Sequence, residues 1–453
     1  MNKQNSVNYF IDNCEALGDK IALIWKDKEI TYSFLHSRIK YWEEGLASIS
    51  PHQIIGIESD FSPETIAILF TLLKKKVVIV PLDITHSDKN VAKIELAEID
   101  ILIKIQEEEI ALIVPDNIKS EKNELYKKIF ECNVPGLILF TSGSSGKPKA
   151  ALHDFSKLLN KFLVKRKSLL TINFLLFDHW GGLNTLFHIL SSDGTVVFLE
   201  NRNPDYICGL IEKYKVELLP TSPTFLNMLL ISRAYERHSL ESLKIISYGA
   251  EPMPESVLQR LNRVFPGVKL QQTYGLIELG VLRSQSKENS SLWVKIGGEG
   301  YQTRVRDGIL QILSDSAMIG YLNAPSPFTE DGWFITGDSV EVNGDYFKIL
   351  GRKSELINIG GEKVFPQEIE SVLLQIPNII DVIVYSEENN LVGKIVCAKI
   401  YYSGDVPKNN LLQEIKKFCN SNLEPFKVPR KFIFSNESFE NDRFKKQRSN
   451  TNN

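Results

Sequence analysis

The chain has 453 residues, 43% hydrophobic and 24% charged, with 53 Lys plus Arg against 56 Asp plus Glu and a formal net charge of -3. Those proportions exclude a disordered, collagenous or coiled-coil chain, and the length allows roughly two to four domains. The balanced charge gives no electrostatic reason to expect nucleic acid or an anionic membrane as partner.

Cys14, Cys132, Cys208, Cys397 and Cys419 are widely spaced, and no C-x-x-C occurs. Neither a zinc ribbon nor a thioredoxin-like site is supported, and idle thiols in a reducing cytosol are expected. Met1 to Asn5 lack the apolar run of a secretory signal. The most apolar stretch, 66–73, meets Lys74-Lys75-Lys76 and is too short to span a bilayer. A soluble cytoplasmic protein without a transmembrane segment is expected.

Apolar residues at Phe34, Leu35, Ile39, Trp42 and Leu46 predict a helix over 32–46. A buried strand at 54–57, a helix over 63–73 and a strand at 77–81 follow. Such alternation predicts an α/β architecture with largely parallel sheets. The apolar strand 137–140 runs straight into a polar loop. Ser247-Tyr248-Gly249-Ala250 and Thr273-Tyr274-Gly275 also stand where strands end. Ligands bind at the carboxyl ends of strands in open α/β sheets, so these three ends point to one shared site. After about position 285 the pattern changes to short antiparallel strands at 308–313, 340–342 and 346–350, with Asn343-Gly344 as a hairpin turn. Beyond Gly351-Arg352-Lys353 come a helix over 366–374, strands at 382–385 and 395–402, and a helix over 409–419, which predict a small α+β domain.

The polar loop reads Thr141-Ser142-Gly143-Ser144-Ser145-Gly146-Lys147-Pro148-Lys149. Its glycines allow close backbone approach, its hydroxyls donate to oxyanions, and Lys149 adds a point charge. It is not a Walker A loop, because Gly143 and Gly146 are too close together and Pro148 follows Lys147. Taken alone it could equally be a flexible Ser/Gly surface loop.

Downstream stand Gln272-Thr273-Tyr274-Gly275-Leu276-Ile277-Glu278, then Thr336-Gly337-Asp338, then Gly351-Arg352-Lys353-Ser354-Glu355, then Gly360-Gly361-Glu362-Lys363-Val364-Phe365-Pro366, and Leu423-Glu424-Pro425-Phe426-Lys427-Val428-Pro429. In that order, over about 30 to 448, the chain resembles the adenylate-forming superfamily, which includes acyl-CoA synthetases. The resemblance implies a large N-terminal α/β domain with a small β-barrel-like subdomain over 1–351. A hinge at 352–354 and a small mobile α+β C-terminal domain over 355–453 would follow.

It also implies chemistry. A carboxylic acid would attack the α-phosphate of ATP with pyrophosphate leaving, and CoA would then accept the acyl group. Thr141, Ser142, Gly143, Ser144, Ser145, Gly146 and Lys149 would hold phosphates. Glu278 would bind Mg²⁺, since hard carboxylate oxygen suits that ion. Tyr274 would stack on adenine beside Gly275, with Gly249, Ala250 and Glu251 bordering the base. Asp338 would accept from the ribose hydroxyls, and Arg352 would add a donor. Lys445, in Phe444-Lys445-Lys446-Gln447-Arg448, would bridge the substrate carboxylate and the α-phosphate, with Lys446 as an adjacent rival. Two departures from the family pattern stand out. Ile277 removes a hydroxyl, for which Thr273 or Thr141 would compensate, and Ser354 takes the hinge position.

Phe177-Asp178-His179-Trp180-Gly181-Gly182-Leu183 fits two registers. From Phe177 it resembles domains that salt-bridge an amino acid through the Asp. From His179 it resembles acyl- and aryl-CoA ligases, with His179, Trp180, Gly181, Gly182 and Gly280 forming the substrate pocket. The second is favoured, and Gly360-Gly361-Glu362 agrees with it. His153 is expected to be structural. An acyl-CoA synthetase of fatty-acid or aryl-acid type is therefore expected. Alternatives are a ligase loading a carrier-protein phosphopantetheine, and a catalytically weakened acyl-adenylate binding protein.

Overall fold

The structure is a computed structural model that describes residues 6–107, 109–116, 119, 121–142, 148–298, 300–389, 393–402 and 408–435. Two seven-stranded sheets form its larger part. One has the order Gly320–Tyr321, Pro148–Asp154, Gly136–Ser142, Val78–Leu82, Ile54–Glu58, Ile101–Gln106, Glu109–Ile113. The other runs Lys269–Gln272, Ile245–Tyr248, Leu218–Thr221, Leu170–Asn173, Thr195–Phe198, Ile21–Trp25, Lys28–Thr31. The central strands of each are parallel and antiparallel pairs occur towards the edges, as the buried runs at 54–57 and 77–81 require.

Helices Pro63–Lys75 and Trp180–Ser191 share one apolar core, in which Phe70 meets Phe187 edge-on at 5.8 Å. The first starts where Ser62 Oγ accepts from Thr65 N and Pro63 pre-sets its first turn. It stops at Lys76, in the left-handed region at φ 57°. The second is capped by His179, whose Nδ1 accepts from Gly181 N at 3.0 Å.

The antiparallel part is a six-stranded sheet in the order Ser284–Ser286, Trp293–Ile296, Tyr346–Arg352, Phe334–Asn343, Ile309–Ser314, Tyr301–Arg306. Its hairpin turns at Gly344, φ +59°, as Asn343-Gly344 predicts. The short helix Lys353–Glu355 then leads to the last unit. There Ile379–Asn389, Gly393–Tyr402 and Lys431–Ser435 make a three-stranded sheet. Helices Pro366–Leu373 and Lys408–Asn422 share its core through Ile369, Leu373, Leu411 and Ile415. The strand at 431–435 escaped the sequence reading. Gly360 and Gly361, at φ +60° and +98°, form the turn between Ile357–Ile359 and Glu362–Val364.

The last unit sits against the larger one. Asn227 Nδ2 donates to the Ile380 carbonyl at 2.8 Å and Ser256 Oγ to the Ser371 carbonyl at 3.2 Å. Gly351, φ +136°, lies under Gln367, whose Oε1 would stand 2.6 Å from any Cβ there. Among the described residues no helix is long and apolar enough to cross a membrane.

Gly182 shows how tightly the helix at 180–191 is seated. A Cβ on it would stand 2.3 Å from the Leu176 carbonyl and 2.6 Å from that of Leu175, both backbone atoms. Gly182→Ala should therefore lower the unfolding free energy by about 2 kcal/mol or more. Gly267→Ala, with nothing within 4 Å, should leave it near the wild-type value. Urea unfolding of the two variants checks this, and equal midpoints would show that the helix start can shift.

Candidate active site

One cavity of about 2280 Å³ runs between the two large sheets, the antiparallel sheet and the last unit. All three strand ends singled out in the sequence open into it. Strand Gly136–Ser142 carries Thr141 there, and the antiparallel register sets Lys149 directly opposite Thr141. Lys149 Nζ lies 5.3 Å from the centre of the Tyr321 ring. The Tyr321 hydroxyl donates to Glu278 Oε1 at 2.5 Å. Burial raises the Tyr321 phenol above its ordinary range, and the Glu278 charge adds to the effect. Lys149, Tyr321 and Glu278 thus form one contiguous wall. Tyr321 carried no motif in the sequence; its position one strand over from Pro148–Asp154 exists only after folding. Gly143, Ser144, Ser145, Gly146, Lys445 and Lys446 lie outside the described residues, and of Ser142 only the backbone is described.

The second wall starts at Tyr248. A Cβ on Gly249 would stand 2.4 Å from Thr273 Oγ1, so this position needs glycine for packing. Ala250 adopts φ +71°, a conformation uncommon for a residue with a Cβ. The Glu251 carboxylate accepts from both the amide and the hydroxyl of Thr224, which ties the loop to helix Pro223–Ser232. Thr273 donates its hydroxyl to the Tyr248 carbonyl at 3.0 Å. That hydroxyl is engaged by the backbone, and Thr273, like Thr141, lines the cavity.

Tyr274 is buried, and its hydroxyl donates to Asp338 Oδ2 at 2.5 Å. Asp338 and Arg352 face each other across the hairpin, with Arg352 Nε 3.1 Å from Asp338 Oδ1. Burial raises the Asp338 carboxyl above its ordinary value, opposed by the Arg352 charge and the Tyr274 bond. Burial and the Asp338 charge push the Tyr274 phenol well above its usual range. The sequence reading gave Tyr274 and Asp338 separate tasks; the fold joins them.

The third wall holds His179, Trp180 and Gly181. Asp178 is buried with Oδ2 3.9 Å from Lys93 Nζ, and the helix begins at Trp180, an arrangement that suits the His179 register. Trp180 packs edge-on against Phe155 at 6.1 Å. Gly182 and Gly280 contribute packing instead of pocket surface. Gly182 is pressed on the carbonyls described above. Gly280, φ +81°, lies where a Cβ would stand 3.0 Å from Trp180 Nε1 and 3.1 Å from Leu158 Cδ2. Ser354 lies in the one-turn helix at the cavity edge. His153 is fully buried, and burial pulls its imidazole down to about 4, so it is neutral near pH 7. Lys161, on the same wall as Trp180, was missed entirely by sequence reasoning.

Comparison with known proteins agrees with this geometry. Residues 10–298 match the AMP-binding enzyme family, and residues 368–446 match the AMP-binding enzyme C-terminal domain. A 2-succinylbenzoate–CoA ligase of Bacillus pumilus is 25% identical, with 97% of this chain and 96% of that protein covered. A crystal structure of an anthranilate CoA ligase in complex with anthranoyl-AMP superposes with a TM-score of 0.84 at 19% identity, covering 98% of this chain and 96% of the other. The o-succinylbenzoate CoA synthetase of Bacillus subtilis, with its acyl-adenylate intermediate, gives 0.78 at 20% identity, covering 98% of each chain.

Removing the phenol oxygen at position 274 would leave Asp338 buried with one donor fewer. A hydrogen bond to a charged group contributes about 2 kcal/mol, so Tyr274→Phe should lower unfolding free energy by about that amount. Urea unfolding measures it, and an unchanged midpoint would mean that Asp338 finds another donor.

Proposed function

The chain belongs to the AMP-binding enzyme family of AMP-forming ligases, and from that premise we propose that it activates a carboxylic acid on ATP as the acyl-adenylate and passes the acyl group to the thiol of CoA. The observation that carries this reading is the convergence of Thr141, Lys149, Glu278, Asp338 and Arg352 on one cavity.

In the first step a carboxylate oxygen bonds to the α-phosphorus and the bond to pyrophosphate breaks. The protein's task is to position the reactants and neutralise charge. Thr141 and Lys149 would hold phosphate oxygens from facing strands. Asp338, already oriented by Tyr274 and Arg352, would accept from the ribose hydroxyls, and Ala250 would border the base. Lys445 would bridge the substrate carboxylate and the α-phosphate. Among the described residues no three metal-ligating side chains cluster. Glu278, with one oxygen engaged by Tyr321, fits Mg²⁺, which is held by one or two carboxylates and substrate phosphates and supplies charge neutralisation there. In the second step the thiol attacks the acyl carbon, loses its proton and expels AMP. The unit at 355–453 would turn about 352–354, with Ser354 absorbing the rotation and releasing the contacts of Asn227 and Ser256.

We place the acid among aromatic and short acids in preference to long-chain fatty acids. His179, Trp180, Phe162 and Lys161 line this part of the pocket beside aliphatic residues such as Leu175 and Val281, and their aromatic faces and polar groups suit a compact aromatic acid. The curated relative and the two structures described above handle aromatic acids, which supports the same choice.

Pyrophosphate release from MgATP across a panel of carboxylic acids, with and without CoA, tests the proposal. Acid-dependent release with CoA consumed is expected for an aromatic acid. Release without CoA use would point to a carrier-protein acceptor, and silence with intact ATP binding would point to a binding protein. Lys445→Ala should cut adenylation by about 100-fold or more, whereas Lys446→Ala should stay near wild type; the reverse would exchange the two assignments.

A further inference from the structure

Lys161 sits in the short helix Asn160–Leu163, on the cavity wall between helix Trp180–Ser191 and strand Gly280–Val281. Its ammonium donates to Asn184 Oδ1 at 2.6 Å and to the Val281 carbonyl at 2.8 Å. The ring centres of Phe162 and Trp180 lie 4.9 and 5.7 Å away. Both hydrogen-bond partners are neutral, and one N–H remains for a further acceptor. Arg166 and Arg283 also line the cavity, near enough to Lys161 for their charges to repel its own. Among the described residues none of the three forms an ion pair with Asp or Glu. Charges drawn out of water are ordinarily paired, so a half-buried lysine with no carboxylate, beside two exposed arginines, marks a place where an anion belongs.

The surroundings agree. Lys161 retains solvent contact only in part, and burial pulls its ammonium down to about 7, with repulsion from Arg166 and Arg283 adding to the effect. His188, one helical turn beyond Asn184, is drawn down to about 4 by burial and by Arg166 and Lys161. It is neutral at pH 7 and offers an N–H without adding charge. The Trp180 indole N–H is buried with no acceptor. No Asp or Glu makes an ion pair with Lys161, Arg166 or Arg283 among the described residues, and the acceptors that Lys161 meets, Asn184 Oδ1 and the Val281 carbonyl, are neutral.

Resting on the acid-activating reading above, we propose that the substrate carries a second carboxylate, held by Lys161 with Arg166 and Arg283. The spacing sets its size. Val281 is three residues from Glu278, so the ammonium lies within roughly 15 Å of the Glu278 backbone. A compact diacid fits that span, and an aromatic one would also use Trp180 and Phe162.

The test uses the full chain and pairs of acids that differ only in the second carboxylate, such as 2-succinylbenzoate against 4-oxo-4-phenylbutanoate and glutarate against pentanoate. Adenylation is followed as pyrophosphate release and binding by calorimetry in the absence of ATP. In at least one pair the diacid should be preferred by about 100-fold in kcat/KM, carried mainly in KM. Lys161→Met, close in volume and without charge, should reduce that preference ratio to below about tenfold, and Lys161→Arg should restore most of it. Thermal melts confirm that both variants are folded. Preference for the monoacid in every pair, or an equal loss for both acids in Lys161→Met, would overturn the inference. Diacid binding that depends on Lys161, without any turnover, would sustain it while removing the ligase reading.

Discussion

The buried bond from the Tyr274 hydroxyl to Asp338 holds two architectures to one geometry. Tyr274 follows the end of a parallel strand, and Asp338 lies in the middle of an antiparallel one, 64 residues later. Neither strand pairs with the other. The cavity between them keeps its shape because a phenol oxygen and a carboxylate oxygen meet at 2.5 Å in a region that excludes water, where such a bond is stronger than at a surface. Arg352 adds to it from across the hairpin, but half of its side chain faces solvent, so screening weakens that pair. The Tyr321 bond to Glu278 repeats the device at the edge of the other large sheet. Two tyrosine hydroxyls thus brace three sheets around one site.

Both braces bear on chemistry. In the proposed roles, Asp338 toward a ribose and Glu278 toward a cation, each carboxylate would need a fixed position and acceptor capacity. Tyr321 uses one oxygen of Glu278, whereas both oxygens of Asp338 already meet a donor, Oδ2 from Tyr274 and Oδ1 from Arg352, each with one lone pair still to offer. The strain at Ala250 belongs to the same economy of placement: the loop between Gly249 and Glu251 is held by Thr273 on one side and Thr224 on the other, and that double anchorage maintains a backbone angle the residue would otherwise leave.

Much of this was legible in the sequence. Buried apolar runs located the parallel strands, Asn343-Gly344 located a hairpin, and glycine with hydroxyl residues at strand ends located the site. What was not legible depends on register. The facing of Thr141 and Lys149, and of Asp338 and Arg352, follows from strand pairing, which periodicity cannot set. Tyr321 reaches Glu278 only through a two-residue edge strand, too short to leave a pattern. Gly182 and Gly280 were placed in the pocket by the resemblance to acyl- and aryl-CoA ligases, yet a glycine beside a cavity can as readily serve the packing behind it. The Asp178 register was open in the sequence, and the ion pair of Asp178 with Lys93, 85 residues earlier in the chain, is a contact that no local pattern displays.

Lys161 is the clearest case of chemistry hidden from pattern reading. In Leu158-Leu159-Asn160-Lys161-Phe162 it looks like a solvated side chain on a turn. Folding instead brings it under Trp180 and against the backbone of the strand that follows Glu278. An ammonium there is costly, and the protein does not offset the cost with a carboxylate of its own among the described residues. Two neutral acceptors and two aromatic faces lessen the penalty without cancelling it, which is why the group is drawn toward its neutral form. An arriving carboxylate would reverse that shift by completing the pair, and the free energy missing from the empty pocket would be recovered in the complex. A site built this way discriminates by charge: an acid lacking the second carboxylate would bury the lysine without answering it. On this proposal the same wall that would fix the reacting end of the cavity through Glu278 would also set, three residues on, which acids reach that end in productive orientation.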